Sequence, residues 1–276
     1  MHGRLGRFIF ALAALIAAPE AGAQAPGTVE KLYVLDCGQG RSTDMSRWTP
    51  GENQNVAFDI RDNCYLIKHP TRGWMMWDTG VPEAVAAMPN GLVGGGGTSV
   101  WRRPKTIAAQ LGEIGIKADD VGLVAVSHTH GDHVGNVTMF AKATLLIQKA
   151  EWDWAFAPTK SFPFPADVKS QKLGGDHDVF GDGSVRLLST PGHTPGHQVA
   201  VVRLKNTGVL VLSGDAVHFK DNWEKRRVPS MNSSKEQPLA PLDRIAAVMK
   251  EQNAELWINH DKAQGDAAKR PPAFYD

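Results

Sequence analysis

Residues 127–136 read SHTHGDHVGN, and they follow the continuous apolar run VGLVAVS (121–127). His128, His130, Asp132 and His133 fall within six positions. Imidazoles and carboxylates are costly to bury alone, and a divalent cation satisfies several of them at once. The spacing is not the i, i+4 histidine pair of a helical zinc motif. His128 and His130 are two residues apart, so in extended chain they point the same way and can grip one metal together. Asp132 and His133 are adjacent, must diverge, and can serve a second metal.

Two metals need more ligands than this loop carries, and other apolar strands end in suitable residues. STPGHTPGH (189–197) offers His193 and His197, VLSGDAVHF (211–219) offers Asp215, and LWINHD (256–261) offers His260. Spacing does not decide between His193 and His197. Taken singly, His193 or His260 reads as a hydrogen-bonded core histidine and Asp215 as a turn residue. The density of His128–His133 directly after a buried strand is what makes a metal site the better reading. Imidazole and carboxylate ligands together suit zinc, with iron, manganese and cobalt as alternatives.

The surrounding elements must deliver these residues to one place. Strands are predicted at 31–38, 62–70 and 73–80, then at 121–127 and 143–149, and a second β-rich half at 184–193, 197–204 and 208–215. A last strand covers 254–261. Helices are predicted at 105–116, from Ile107, Leu111 and Ile114, and at 236–252, with Pro241 in its first turns. Residues 81–104, with the Gly94–Gly97 run, and the Pro-rich 161–170 are expected to be loops, the former mobile. This order predicts an α/β fold in one domain, two β-sheets packed face to face with helices outside.

The chain has 276 residues, 42% hydrophobic, and a formal net charge of +1. It is long enough for a sizeable core, and it lacks the basic block expected for a nucleic-acid or anionic-membrane partner. Arg4 and Arg7, the apolar run FIFALAALIAA (8–18) and Ala21-Gly22-Ala23 follow the three-part pattern of a secretory signal peptide. The run is too short to span a bilayer. A leader of residues 1–23, a mature chain of 24–276 without a stable membrane anchor, and a periplasmic or secreted location are therefore expected. Cys37 and Cys64 either pair in that oxidising compartment or remain buried thiols. The sequence carries no signal for an oligomeric state.

HTHGDH with the later His193, Asp215 and His260 resembles the metallo-β-lactamase superfamily, from LYVLDCG to WINHD. The resemblance implies an αββα sandwich with a dinuclear site. By position, His128, His130 and His193 would hold the first metal, and Asp132, His133 and His260 the second. Asp215 would bridge both, and His197 would support or pack. TPGHTPGHQ, SGD and INHD are most similar to the quorum-quenching N-acyl homoserine lactone lactonases, and NWEKRRVPSMN (222–232) adds to that likeness. A small-molecule lactone is then the substrate, opened by a metal-bridging hydroxide with Asp132 as proton shuttle. Met88, Leu92, Val93, Trp101 and Phe219 are candidates for an acyl groove. His218 stands where such lactonases carry a tyrosine, and a neutral imidazole can replace its donor. Glyoxalase II-like thioesterases share the ligands and give the alternative activity. A non-catalytic metal- or partner-binding protein is the alternative of another class, which the full ligand set argues against.

Expressed from its native start, the protein should lose residues 1–23. Intact-mass measurement on a periplasmic extract checks this, and a full-length cytosolic species would reverse the leader assignment.

Overall fold

The structure, a computed structural model, describes residues 26–233 and 239–276. The expected leader, residues 1–23, lies outside the described residues. The first sheet contains β1 (Lys31–Ser42), β2 (Phe58–His69), β3 (Gly73–Trp77), β4 (Leu92–Gly94), β5 (Ser99–Arg102), β6 (Val121–Ala125), β7 (Thr144–Gln148) and β8 (Ser170–Leu173). The second contains β9 (His177–Asp178), β10 (Val185–Ser189), β11 (Gln198–Leu204), β12 (Gly208–Leu212) and β13 (Glu255–Trp257). The strand orders are β4-β5-β1-β2-β3-β6-β7-β8 and β13-β12-β11-β10-β9. The helices are α1 (Ile107–Glu113), α2 (Gly131–Val134), α3 (Lys149–Ala155), α4 (Lys220–Glu224), α5 (Ala240–Gln252) and α6 (Lys262–Ala267).

Alternation along the strands explains the layering. Leu32 and Val34 of β1 join Tyr65, Ile67, Met75 and Trp77, and meet Val185, Leu187, Ala200, Val202, Leu210 and Leu212 of the other sheet. Their neighbours Tyr33 and Leu35 face the opposite way, with Leu66 and Met76, and pack with Ile107 and Leu111 of α1. On the outside of the second sheet, Val199, Val201 and Val211 pack with Leu242 and Ile245 of α5. Strands covered on both faces must be apolar at every position, which is why they read as unbroken runs. The expected sandwich with outer helices is what forms. Thr106 caps α1 by accepting from the Ala109 N–H at 3.1 Å, and Pro241 stands in the first turn of α5.

Residues 81–104 differ from the loop expected of them. β4 and β5 form a hairpin, and β5 adds to the edge of β1. Gly95, Gly96 and Gly97 turn the chain with φ of 59°, 69° and 92°, angles that glycine takes without a Cβ penalty. Strands of three and four residues are too short to show a period of two, so the pattern was hidden.

The two cysteines do pair. Cys37 and Cys64 are joined at an S–S distance of 2.09 Å across 27 residues of sequence. Cys37 lies at a bulge in β1, between Asp36 and Gly38. Its carbonyl accepts from the Val81 N–H at 3.2 Å and from Arg103 Nη1 at 3.0 Å. The bridge therefore joins β1, β2 and the segment after β3 at one point.

Strand direction then sets where the site lies. β12 and β13 are parallel, with Leu212 opposite Trp257, so Asp215 and His260 emerge at the same edge. β10 is antiparallel to β11, and β11 to β12, so β10 also ends there, just before His193. In the other sheet β6 runs parallel to β3 and β7 and ends just before His128. Ligands in α/β sheets gather beyond the carboxyl ends of strands.

Replacing both Cys37 and Cys64 with serine should lower stability by about 2–4 kcal/mol, as loss of such a cross-link does. Denaturant unfolding measures this. A double variant as stable as the parent, with reductant making no difference to the parent, would show that the bridge contributes nothing.

Candidate metal centre

Every metal-ligand candidate converges at this edge. The donor atoms form two groups, each with all its ligand atoms within 4.8 Å: His128, His130, His193 and Asp215 in one, Asp132, His133 and His260 in the other. His128 Nε2 lies 2.9 Å from His130 Nδ1, and His193 Nε2 lies 3.0 Å from the same atom. Asp215 joins the groups. Its Oδ2 is 3.7 Å from His128 Nε2 and 3.4 Å from His193 Nε2, while its Oδ1 is 3.2 Å from His133 Nε2 and 3.0 Å from His260 Nε2. Asp132 flanks the second group, with Oδ2 3.8 Å from His260 Nε2 and Oδ1 4.0 Å from His133 Nε2.

The far nitrogen of several imidazoles is held by a partner, the arrangement that fixes ring orientation in metal sites. His133 Nδ1 meets Asp78 Oδ2 at 3.0 Å. Asp78 also accepts from the Ser127 N–H at 2.7 Å and from Ser127 Oγ at 2.9 Å. His128 Nδ1 meets Ser127 Oγ at 3.0 Å. His193 Nδ1 meets Asn232 Oδ1 at 3.1 Å, and His260 Nδ1 meets the Arg61 carbonyl at 2.7 Å.

The donors fit divalent cations. Three imidazole nitrogens that face one another cannot all satisfy each other. His133 Nε2 and Asp215 Oδ1 are buried and form no properly directed hydrogen bond. Burial presses His128 and His193 well below the usual imidazole range, and the neutral ring is the ligating form. Burial also opposes protons on His133 and His260, yet Asp215 holds His260 up at about 9 and, with Asp78, holds His133 well above its ordinary value. Burial opposes charge on Asp215 too, but His260, His218 and His133 keep its carboxyl well below the usual range. This edge is built to surround an anion with positive charge, which divalent cations supply while leaving the nitrogens neutral.

His193 and His197 take different parts. His193 belongs to the first donor group. His197 is fully buried, held down to about 3 by burial, accepts from the Asp215 N–H through Nε2 at 3.0 Å and pairs with Thr190 Oγ1 through Nδ1 at 2.9 Å. His218 is buried rather than solvent-facing, and its Nε2 lies 3.1 Å from Asp215 Oδ2.

A cavity of about 350 Å³ opens on the donors and is lined by His130, Asp132, His193, Asp215, His218 and His260, and by Trp48, Ile60, Leu92, Trp101, Phe219 and Met231. Of the groove candidates, Leu92, Trp101 and Phe219 are on it. Met88 and Val93 are not, and are 40% and 63% exposed. Val93 follows Leu92 in a strand, so it points to the other side. Trp48, Phe58 and Phe219 stack edge to face as one wall, at 5.1–6.5 Å between ring centres.

Asp78, Asn232 and Glu151 were missed from sequence. Asp78 had a signal, an aspartate directly after the buried MMW of β3. The segment 222–232, singled out above without a mechanism, acquires one. Asn222 Nδ2 donates to the Trp48 carbonyl at 2.8 Å, Arg227 forks onto Glu52, Met231 lines the cavity and Asn232 reaches His193.

Comparison with known proteins agrees with the geometry. Residues 59–249 match the sequence model of the metallo-beta-lactamase superfamily. The chain is 32% identical over 261 residues to the N-acyl homoserine lactonase AttM of Agrobacterium fabrum, covering 89% of this chain and 98% of that protein. It is 29% identical over 262 residues to the AttM of Azorhizobium caulinodans, with the same coverage. A solved N-acyl homoserine lactone hydrolase, with N-hexanoyl-L-homoserine at its catalytic metal center, superposes with a TM-score of 0.80 at 26% identity, over 90% of this chain and 100% of that one.

His193→Ala should remove a ligand of the first group and lower bound metal per chain, whereas His197→Ala should retain metal and lose less activity. Elemental analysis of the purified variants decides. The reverse order would exchange the two assignments.

Proposed function

The chain belongs to the metallo-β-lactamase superfamily, and on that premise we propose that it opens the ring of N-acyl homoserine lactones with two divalent cations, zinc by its donor set. The observation that carries the reading is the cavity, where an apolar wall of Trp48, Ile60, Leu92, Trp101 and Phe219 ends on Asp132, Asp215 and His260. A polar ring joined to an acyl tail matches that division. Full-length likeness to proteins named as lactonases supports the same substrate.

In this reading His128, His130 and His193 would hold one cation and Asp132, His133 and His260 the other, with Asp215 available to both. When bound, the cations acidify water toward neutrality and polarise the lactone carbonyl. Asp132 keeps 23% of its side chain exposed and lines the cavity, so its carboxylate is open to the substrate. With one oxygen toward a cation, the other would take the proton of the attacking water and deliver it to the ring oxygen as the C–O bond breaks. His218 stands beside Asp215 in the lining of the same cavity, where it steadies that carboxylate and is available to a substrate carbonyl bound there. The aromatic wall holds the acyl chain and excludes water from it.

The proposal extends to the compartment: the enzyme works in the periplasm or outside the cell. The buried Cys37–Cys64 bridge supports this, because disulfides persist in oxidising compartments.

A parallel screen of acyl-homoserine lactones, thioesters and β-lactams should give the highest kcat/KM on the lactones. Preference for thioesters would replace the proposal by the glyoxalase II-like alternative. Asp132→Asn should lower turnover by roughly 10²-fold or more. His218→Phe should lower it by roughly 10–10³-fold, with His218→Tyr retaining most of it. Unchanged kinetics in His218→Phe would make that residue a bystander.

A further inference from the structure

Glu151, in the first turn of α3, is fully buried, and neither donor group contains it. Its two oxygens serve two different loops. Oε1 accepts from the Thr129 N–H at 2.8 Å and from Thr129 Oγ1 at 2.7 Å. Oε2 accepts from Thr194 Oγ1 at 2.6 Å and from the Gly196 N–H at 3.1 Å. Thr129 lies between His128 and His130, and Thr194 directly follows His193.

We propose that Glu151 is a positioning residue for the first metal, its carboxylate setting the distance between the loop of His128 and His130 and the loop of His193. The inference rests on the two-metal reading above. Four donors meet the lone-pair sites of one carboxylate, so both loops are held from a single rigid group. The contact is also close in the backbone. A Cβ on Gly196 would lie 2.0 Å from the Glu151 nitrogen and 2.5 Å from its Cα, so only glycine lets the second loop reach the helix. The second donor group is anchored elsewhere, His133 by Asp78 and His260 by the Arg61 carbonyl. Loss of Glu151 therefore acts on one metal and not on the other.

The test is zinc titration of metal-free protein in competition with a chromophoric chelator. Glu151→Gln keeps the volume and the Oε1 contacts but turns an amide N–H₂ toward the Gly196 N–H, where no acceptor remains. It should weaken one of two zinc ions by roughly 10–100-fold, the usual cost of losing a partner behind the ligands, and leave the other unchanged. Adding His193→Ala should weaken the same ion further and leave the other unchanged, while adding His260→Ala should weaken the other ion. Thr194→Val, which deletes one donor and no charge, should give a smaller loss at the same site, and it decides the matter if the glutamine variant unfolds by circular dichroism. Equal weakening of both ions, or of neither, overturns the proposal, as does a parent protein that binds fewer than two. Two-zinc binding without lactone hydrolysis leaves it standing and removes only the lactonase reading.

Discussion

The architecture of the site depends on the carboxylate of Asp215. One of its oxygens faces His128, His193 and His218, the other His133 and His260. Burying a carboxylate costs several kcal/mol unless positive charge and hydrogen bonds surround it. Loops from both sheets must therefore meet at this one group. The turn that delivers it tolerates no side chain at Gly214, whose φ is 47° and whose added Cβ would come within 2.6 Å of Ser127 Cβ and 2.8 Å of His197 Nε2. His197, outside the donor groups, holds the backbone N–H of Asp215.

Around that anion lies a second ring of contacts that orients the donors. The helix carrying Asp132 and His133 is tied to the segment after β3: the Thr79 N–H donates to the His133 carbonyl at 2.7 Å, and Asn136 Nδ2 donates to the carbonyls of Thr79 and Val81 at 2.5 and 2.9 Å. The bulge at Cys37 binds the same segment from the other side. Ring orientation, loop position and strand pairing are thus linked by short hydrogen bonds, and an error in one is felt at the donors.

The sequence revealed most clearly what had a dense local signature. His128, His130, Asp132 and His133 follow a buried strand within six residues, and the later ligands each stand just past an apolar run. The buried strands were legible because burial on both faces demands apolar residues throughout. What stayed hidden was set by partners distant in sequence. Asn232 matters because it meets His193, 39 residues away, and Glu151 because it meets Thr129 and Thr194, 22 and 43 residues away. Pairing of Cys37 with Cys64 required the β1–β2 register, and the division between Leu92 and Val93 required knowing that a three-residue strand exists.

The parallel pairing of β12 with β13 has a consequence for how the protein is made. His260 lies beyond a strand that joins its sheet only after the whole of α5 has crossed over, and parallel pairings of this kind close late because their contacts are distant in sequence. Chain growth runs from the amino end, so a nascent polypeptide carries the HTHGDH cluster long before it acquires the residue that completes the second donor group. The unfinished chain thus exposes several strong ligands with no geometry to select among ions. Selection among ions is therefore left to the completed fold, which alone holds the donors in two fixed groups.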